Sequence, residues 1–180
     1  MKKLFTTTIL TLTLLSTTAQ AKIVHWDSIK DFKKATDYYQ RLDKNPQPPI
    51  TLQPYFQGKD LLERVNIQVN RDIKYQSELQ GQDYWQTPAE TMKKGSGDCE
   101  DFALLKMYTL KQSGIPENAM YIEQGINETT GEMHAILEVI IDNKIYYLDN
   151  MQEDITHNSI KPLGAYTINR FGVNFYIEDK

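Results

Sequence analysis

Cys99 is the single cysteine of the 180-residue chain. It follows Gly95-Ser96-Gly97-Asp98 and opens an apolar stretch that reads as a helix from Cys99 to about Ser113, stopped by Gly114 and Pro116. A thiol at the first turn of a helix meets unpaired N–H groups and the positive end of the helix dipole, and both favour its thiolate. A nucleophile of this kind needs a base, and the base needs an orienting group. His134 sits in the apolar run Met133 to Leu137, and Asp149 closes the segment Lys144 to Asp149. The turn Asp142-Asn143 would lay these two segments antiparallel and bring the carboxylate toward the imidazole. There it would select the tautomer and hold the charged ring. Each residue has a plainer reading by itself. A free cysteine is most often a small buried hydrophobe, a histidine in an apolar strand is most often a core residue, and Asp-Asn is ordinary turn chemistry. As a set, helix cysteine, strand histidine and neighbouring-strand aspartate point to acyl transfer through a thioester.

The elements that must position these groups fall into two halves. Residues 26–42 read as a helix, with Trp26, Ile29 and Tyr39 near one face, and Asn45-Pro46-Gln47-Pro48-Pro49 breaks the chain after it. Gly58 to Ile73 reads as a second helix, because Leu62, Val65, Val69 and Ile73 recur at helical spacing. Residues 80–88 form a loop containing Tyr84 and Trp85, aromatics that either fill the core or line a cleft. Thr87-Pro88-Ala89-Glu90 starts a short helix with a capping box and proline in its first turn. Gly95 to Asp98 reads as a flexible entry that leaves space around Cys99. Beyond Pro116 the period changes to two, and 119–126, 133–141 and 144–149 read as an antiparallel meander. The tail with Tyr166, Phe171, Phe175 and Tyr176 adds an edge strand. Helices first and sheet second is an α+β layout, with N-terminal helices packed on an antiparallel sheet.

Asp98 and Glu100 flank the thiol. Carboxylates so close raise a thiol's pKa and oppose its activation. They are either helix-start residues or two ligands of a hard cation such as calcium, which takes several oxygen donors and would offset their charge. Asn66 and Asn70 are candidates for further ligands. Asp101 reads as a helix N-terminal residue, and His25 and His157 as surface residues.

Met1-Lys2-Lys3, an apolar stretch to Leu15 and Ala19-Gln20-Ala21 form a secretory signal pattern, with cleavage expected after Ala21 and a single domain over 22–180. The apolar stretch is too short for a stable membrane span. Removing Lys2 and Lys3 takes the formal charge from −4 to −6. An acidic chain without a basic stripe excludes nucleic acid as the expected partner. An exported protein with one cysteine has no internal disulfide, which leaves that thiol free for chemistry.

Several stretches carry a family resemblance: Asp83-Tyr84-Trp85-x-Thr87-Pro88-x-Glu90, Gly97-Asp98-Cys99-Glu100-Asp101-Phe102-Ala103 with Lys106, His134-Ala135-Ile136-Leu137 and Leu148-Asp149-Asn150. In that order they resemble the bacterial transglutaminase-like cysteine peptidases, the LapG type in particular. The resemblance implies a papain-like, transglutaminase-like core and the Cys99, His134 and Asp149 triad. It also implies a periplasmic location, calcium dependence, cleavage near the N-terminus of a large outer-membrane-retained adhesin that controls biofilm attachment, and sequestration by an inner-membrane cyclic-di-GMP receptor. The same triad would also serve a transglutaminase or amidase, and a catalytically silent binding module is the alternative from another class.

Overall fold

The computed structural model describes residues 29–49, 56–79, 84–169 and 172–176. The signal segment, Trp26, residues 80–83 and Phe171 lie outside the described residues.

Helix α1 spans Ile29–Lys44 and α2 spans Gly58–Asp72. The helical face expected on α2 is buried: Leu61, Leu62, Val65 and Val69 enter the core, together with one polar side chain, Asn66. Helix α3, Pro88–Lys94, has the expected capping box, with Thr87 and Glu90 each accepting from the other's backbone N–H. Gly95 ends it in the left-handed region at φ 70°, where a side chain is strained. Helix α4 spans Cys99–Gln112. It is apolar around most of its circumference, as suits a helix enclosed on all sides; Phe102, Ala103, Leu104, Leu105, Met107 and Leu110 are all buried.

The entry to α4 differs from the flexible turn expected of its glycines. Lys74–Tyr75 (β1) pairs in parallel with Ser96–Gly97 (β2), in the register Lys74 to Ser96 and Tyr75 to Gly97. Two glycines hid this strand, because neither contributes to an alternating pattern.

The second half is a five-stranded antiparallel sheet. After a short 3₁₀ turn at Glu117–Ala119 come β3 (Met120–Asn127), β4 (Met133–Ile141), β5 (Lys144–Leu148), β6 (Ile160–Asn169) and β7 (Gly172–Tyr176), in the spatial order β5-β4-β3-β6-β7. The expected meander is β3 to β5. Asp142 and Asn143 both have positive φ, 51° and 57°, the signature of the two-residue turn whose twist matches a hairpin. That turn sets the pairing of Ile141 with Lys144 and hence of Leu137 with Leu148. The tail supplies two strands where one was expected. It returns to pair with β3, which becomes the centre of the sheet. Helix α4 packs on β4 and α2 packs on α4, so the helix that begins at Cys99 lies between the other helices and the strand that carries His134.

Candidate active site

His134 is the second residue of β4 and is 7% exposed. Both faces of β4 are covered near its start, so Ala135, Ile136 and Leu137 are buried as well. Asp149 follows the last residue of β5 and is 1% exposed. The expectation that it ends the third strand is off by one residue, since pairing stops at Leu137 with Leu148. Asp149 therefore meets His134 on a diagonal rather than directly opposite, within ordinary cross-strand reach. Asp149 Oδ1 lies 2.8 Å from His134 Nε2. An ionised carboxylate only accepts, so Nε2 carries the proton of this bond, and in the neutral imidazole the lone pair is on Nδ1.

The carboxylate of Asp149 is held from two other sides. The Met151 N–H donates to Oδ1 at 2.9 Å and the Ser159 hydroxyl donates to Oδ2 at 2.5 Å. Burial works to raise its pKa, but the bonds from His134, Ser159 and Met151 outweigh it and keep the carboxyl below its ordinary range.

The backbone of Ala135, the residue after His134, acts on the Cys99 thiol in favour of its thiolate, while the thiol itself donates to Glu100 Oε2 at 2.9 Å. Of the sequence set, His134 and Asp149 are in contact, and Cys99 opens the helix that packs on the strand of His134. Burial pushes the thiol up strongly. The charge of Glu100 and a hydrogen bond from the thiol to Glu100 Oε2, 2.9 Å, add to this, and the Ala135 amide acts in the opposite sense. The acidic flank thus opposes thiolate formation, as its composition predicts.

Asp98 is the N-cap of α4, and its Oδ1 accepts from the Asp101 N–H at 3.4 Å. Burial, then the charges of Glu100 and Asp101, raise its carboxyl to about 8. Glu100 Oε1 lies 3.5 Å from the Gln124 amide. Among the described residues no lysine or arginine pairs with Asp98 or Glu100, and no three His, Cys, Asp or Glu converge as a metal cluster. A hard cation such as calcium, with further donors from carbonyl and water oxygens, would offset the burial and mutual repulsion that raise Asp98. The amide nitrogens of Asn66 and Asn70 donate to backbone carbonyls of the segment after β5; the Asn66 oxygen, the atom a cation would need, accepts from Lys106, whereas the Asn70 oxygen is buried without a hydrogen-bond partner among the described residues.

Asp101 does more than sit at a helix start. It is fully buried, and its carboxylate accepts from Gln86 N at 2.7 Å, from Gln86 Nε2 and from Asp98 N at 3.2 Å. It ties the loop before α3 to the start of α4. The signal for it was present, since Asp98-x-x-Asp101 has the spacing of a capping box. No local signal marks Ser159. The two aromatics of the loop part company: Trp85 is buried, whereas Tyr84 is 45% exposed, under the Arg41 guanidinium and bonded to Glu90 at 3.0 Å. His157 is exposed, as expected, and His25 lies outside the described residues.

No helix among the described residues is long and apolar enough to cross a membrane. Among solved structures the chain is similar to Legionella pneumophila LapG in its calcium-bound form, at 27% identity and a TM-score of 0.57, covering 80% of this chain and 79% of that one. A further structure of the same protein is 26% identical over 76% of each chain, with a TM-score of 0.55. The EGTA-treated form, at 24% identity and a TM-score of 0.59, covers 82% of this chain and 77% of that one and matches in fold. Among curated proteins none matches. The bacterial transglutaminase-like cysteine proteinase family (BTLCP) matches residues 19–163, a span that includes Cys99, His134 and Asp149, and the chain belongs to that family of cysteine peptidases.

Proposed function

We propose that this cysteine peptidase works through Cys99 as nucleophile, His134 as base and Asp149 as the group that orients the histidine. The observation that carries the reading is the buried 2.8 Å pair of His134 and Asp149, with His134 on the strand against which the helix of Cys99 packs. Nδ1 of His134 takes the thiol proton, and the sulfur attacks the scissile carbonyl carbon. The C–N bond breaks as the imidazolium gives its proton to the leaving amine, which leaves a thioester. Water, deprotonated by the same nitrogen, attacks the thioester and frees the acid and the thiol. Asp149 keeps the Nε2 proton in place and stabilises the imidazolium in both half-reactions.

Asp98 and Glu100 are the calcium ligands in this reading, supported by their lack of a lysine or arginine partner among the described residues and by the calcium-bound form of the 27% identical LapG. Calcium supplies the positive charge that offsets the carboxylates beside the sulfur. The substrate is the N-terminal region of a large surface adhesin, and the site of action is the periplasm, reached after cleavage behind Ala21. An inner-membrane cyclic-di-GMP receptor is the regulatory partner. The sequence resemblance and the family membership support these assignments.

The test is cleavage of the N-terminal region of a repeat adhesin by purified protein in calcium. Cys99→Ala, His134→Ala and Asp149→Ala should each remove most turnover while leaving a folded chain, because members of such a set act as a unit. Full turnover by Cys99→Ala would overturn the reading, and incorporation of a labelled amine in place of hydrolysis would reassign it to acyl transfer.

A further inference from the structure

Asp149 lies past the last ladder pair of β5, so the sheet does not fix its backbone. Its position relative to Cys99 must come from elsewhere. The first contributor is Asn70, on the last turn of α2, whose Nδ2 donates to the Asp149 carbonyl at 2.8 Å and to the Gln152 carbonyl at 3.3 Å. One turn earlier, Asn66 Nδ2 donates to the carbonyls of Gln152 at 2.9 Å and Glu153 at 3.4 Å. Asn66 is fully buried, and its Oδ1 accepts from Lys106 Nζ at 2.7 Å. Lys106 is itself fully buried, about two turns along α4 from Cys99.

A buried lysine is an expensive choice for a helix core, where a leucine would fill the same space. Its chemistry explains its use. Nζ lies 2.7 Å from Asn66 Oδ1 and donates to it, which commits the amide oxygen to Lys106 and leaves the amide N–H groups facing the loop. With a hydrocarbon at 106 the amide would lose its oxygen's partner and its reason to hold that orientation. Burial lowers the amine to about 7 and the Asp149 charge acts against that shift, so the two groups sense one another across this network.

We infer that Lys106, Asn66 and Asn70 form a brace that sets Asp149, and through it His134, against the helix that carries Cys99. These are positioning residues: none touches the reacting atoms, and the inference rests on the catalytic reading of Cys99, His134 and Asp149. The brace couples the two ends of the site through α2. One end is the helix of the nucleophile, held by Lys106, and the other is the loop of the orienting carboxylate, held by the two asparagines.

The experiment uses the full chain in calcium and needs no knowledge of the substrate. Cys99 is the single cysteine, so its rate of alkylation by iodoacetamide reports on the activated thiol. Nitrogen-15 histidine spectra follow the Nε2–H of His134, which a loss of stability alone would not move. Asp149→Asn should slow alkylation by on the order of 10-fold and shift that resonance. Lys106→Met and Asn70→Ala should slow it several-fold with a shift in the same direction, and neither should add to the loss in Asp149→Asn, since they act through it. Losses that multiply with Asp149→Asn would overturn the brace. So would a wild-type rate and resonance in Lys106→Met and Asn70→Ala while Asp149→Asn is slowed. A wild-type rate in Asp149→Asn would instead overturn the catalytic reading, and the brace with it. Should Lys106→Met not fold, Asn70→Ala decides by the same criteria, because its side chain is only half-buried.

Discussion

Substituting Gly97 with alanine tests how tightly the entry to α4 is built. A Cβ at Gly97 would lie 2.6 Å from Asp101 Cβ, 2.6 Å from Oδ2 and 3.0 Å from Cγ, distances that real side chains do not tolerate. Asp101 cannot swing aside, because it is fully buried and its carboxylate serves Gln86 N, Gln86 Nε2 and Asp98 N. Displacing it removes one half of the α4 capping box, about 1 kcal/mol, and strands at least one buried donor, a further ~1–3 kcal/mol. The sum is roughly 2–4 kcal/mol, which at about 2–4 °C per kcal/mol for a chain of this size lowers Tm by roughly 5–15 °C. Thermal unfolding followed by circular dichroism reads it directly. Gly95→Ala is the control: open space surrounds that position and only its φ of 70° opposes a side chain, so about 1 kcal/mol is expected there. A Tm for Gly97→Ala within 2 °C of wild type, or a larger loss in Gly95→Ala, would refute the argument.

Three further outcomes are expected. Calcium at about 100 times its Kd should add ~2.7 kcal/mol to stability and raise Tm by roughly 5–10 °C. Glu100→Gln should lose that response together with activity; full activity in excess chelator with no shift in melting would leave Asp98 and Glu100 as helix-start residues only. Ser159→Ala should lower turnover less than Asp149→Ala does, since two other donors remain on that carboxylate, and should cost about 1 kcal/mol of stability in urea titrations. Burial lowers Lys106 to about 7, so between that value and the ordinary lysine range the unfolded chain binds the proton that the folded chain has lost. Stability relative to Lys106→Met should therefore rise with pH across this window, by at most about 1.4 kcal/mol per unit. A difference that stays flat from pH 7 to 10 in urea titrations would show that the amine is not perturbed.

Much of the architecture was legible along the chain because it depends on short-range rules. The Thr87 to Glu90 capping box, the α2 face of Leu62, Val65 and Val69, and the Asp142-Asn143 turn are decided by residues within a few positions of one another. The turn then carries the register of β4 and β5, which is why the approach of Asp149 to His134 could be anticipated from spacing alone. Residue type also marked Cys99 as an unusual choice and its acidic flank as electrostatically awkward. What required the folded chain was long-range. The β1–β2 pair joins segments on either side of α3 through backbone bonds that side-chain periodicity does not encode. The space that Gly95 and Gly97 seemed to offer around the thiol is taken at Gly97 by the Asp101 carboxylate. Asn66 and Asn70, chemically suited to calcium, turn their amide nitrogens to the loop after β5, and the Asn66 oxygen is taken by Lys106 from the neighbouring helix. Local sequence thus determined which groups exist and in which element each sits. Tertiary packing decided which buried polar atoms had to satisfy one another, since a hydrogen bond across 40 or 79 residues of chain is set by where burial brings its partners and not by their spacing.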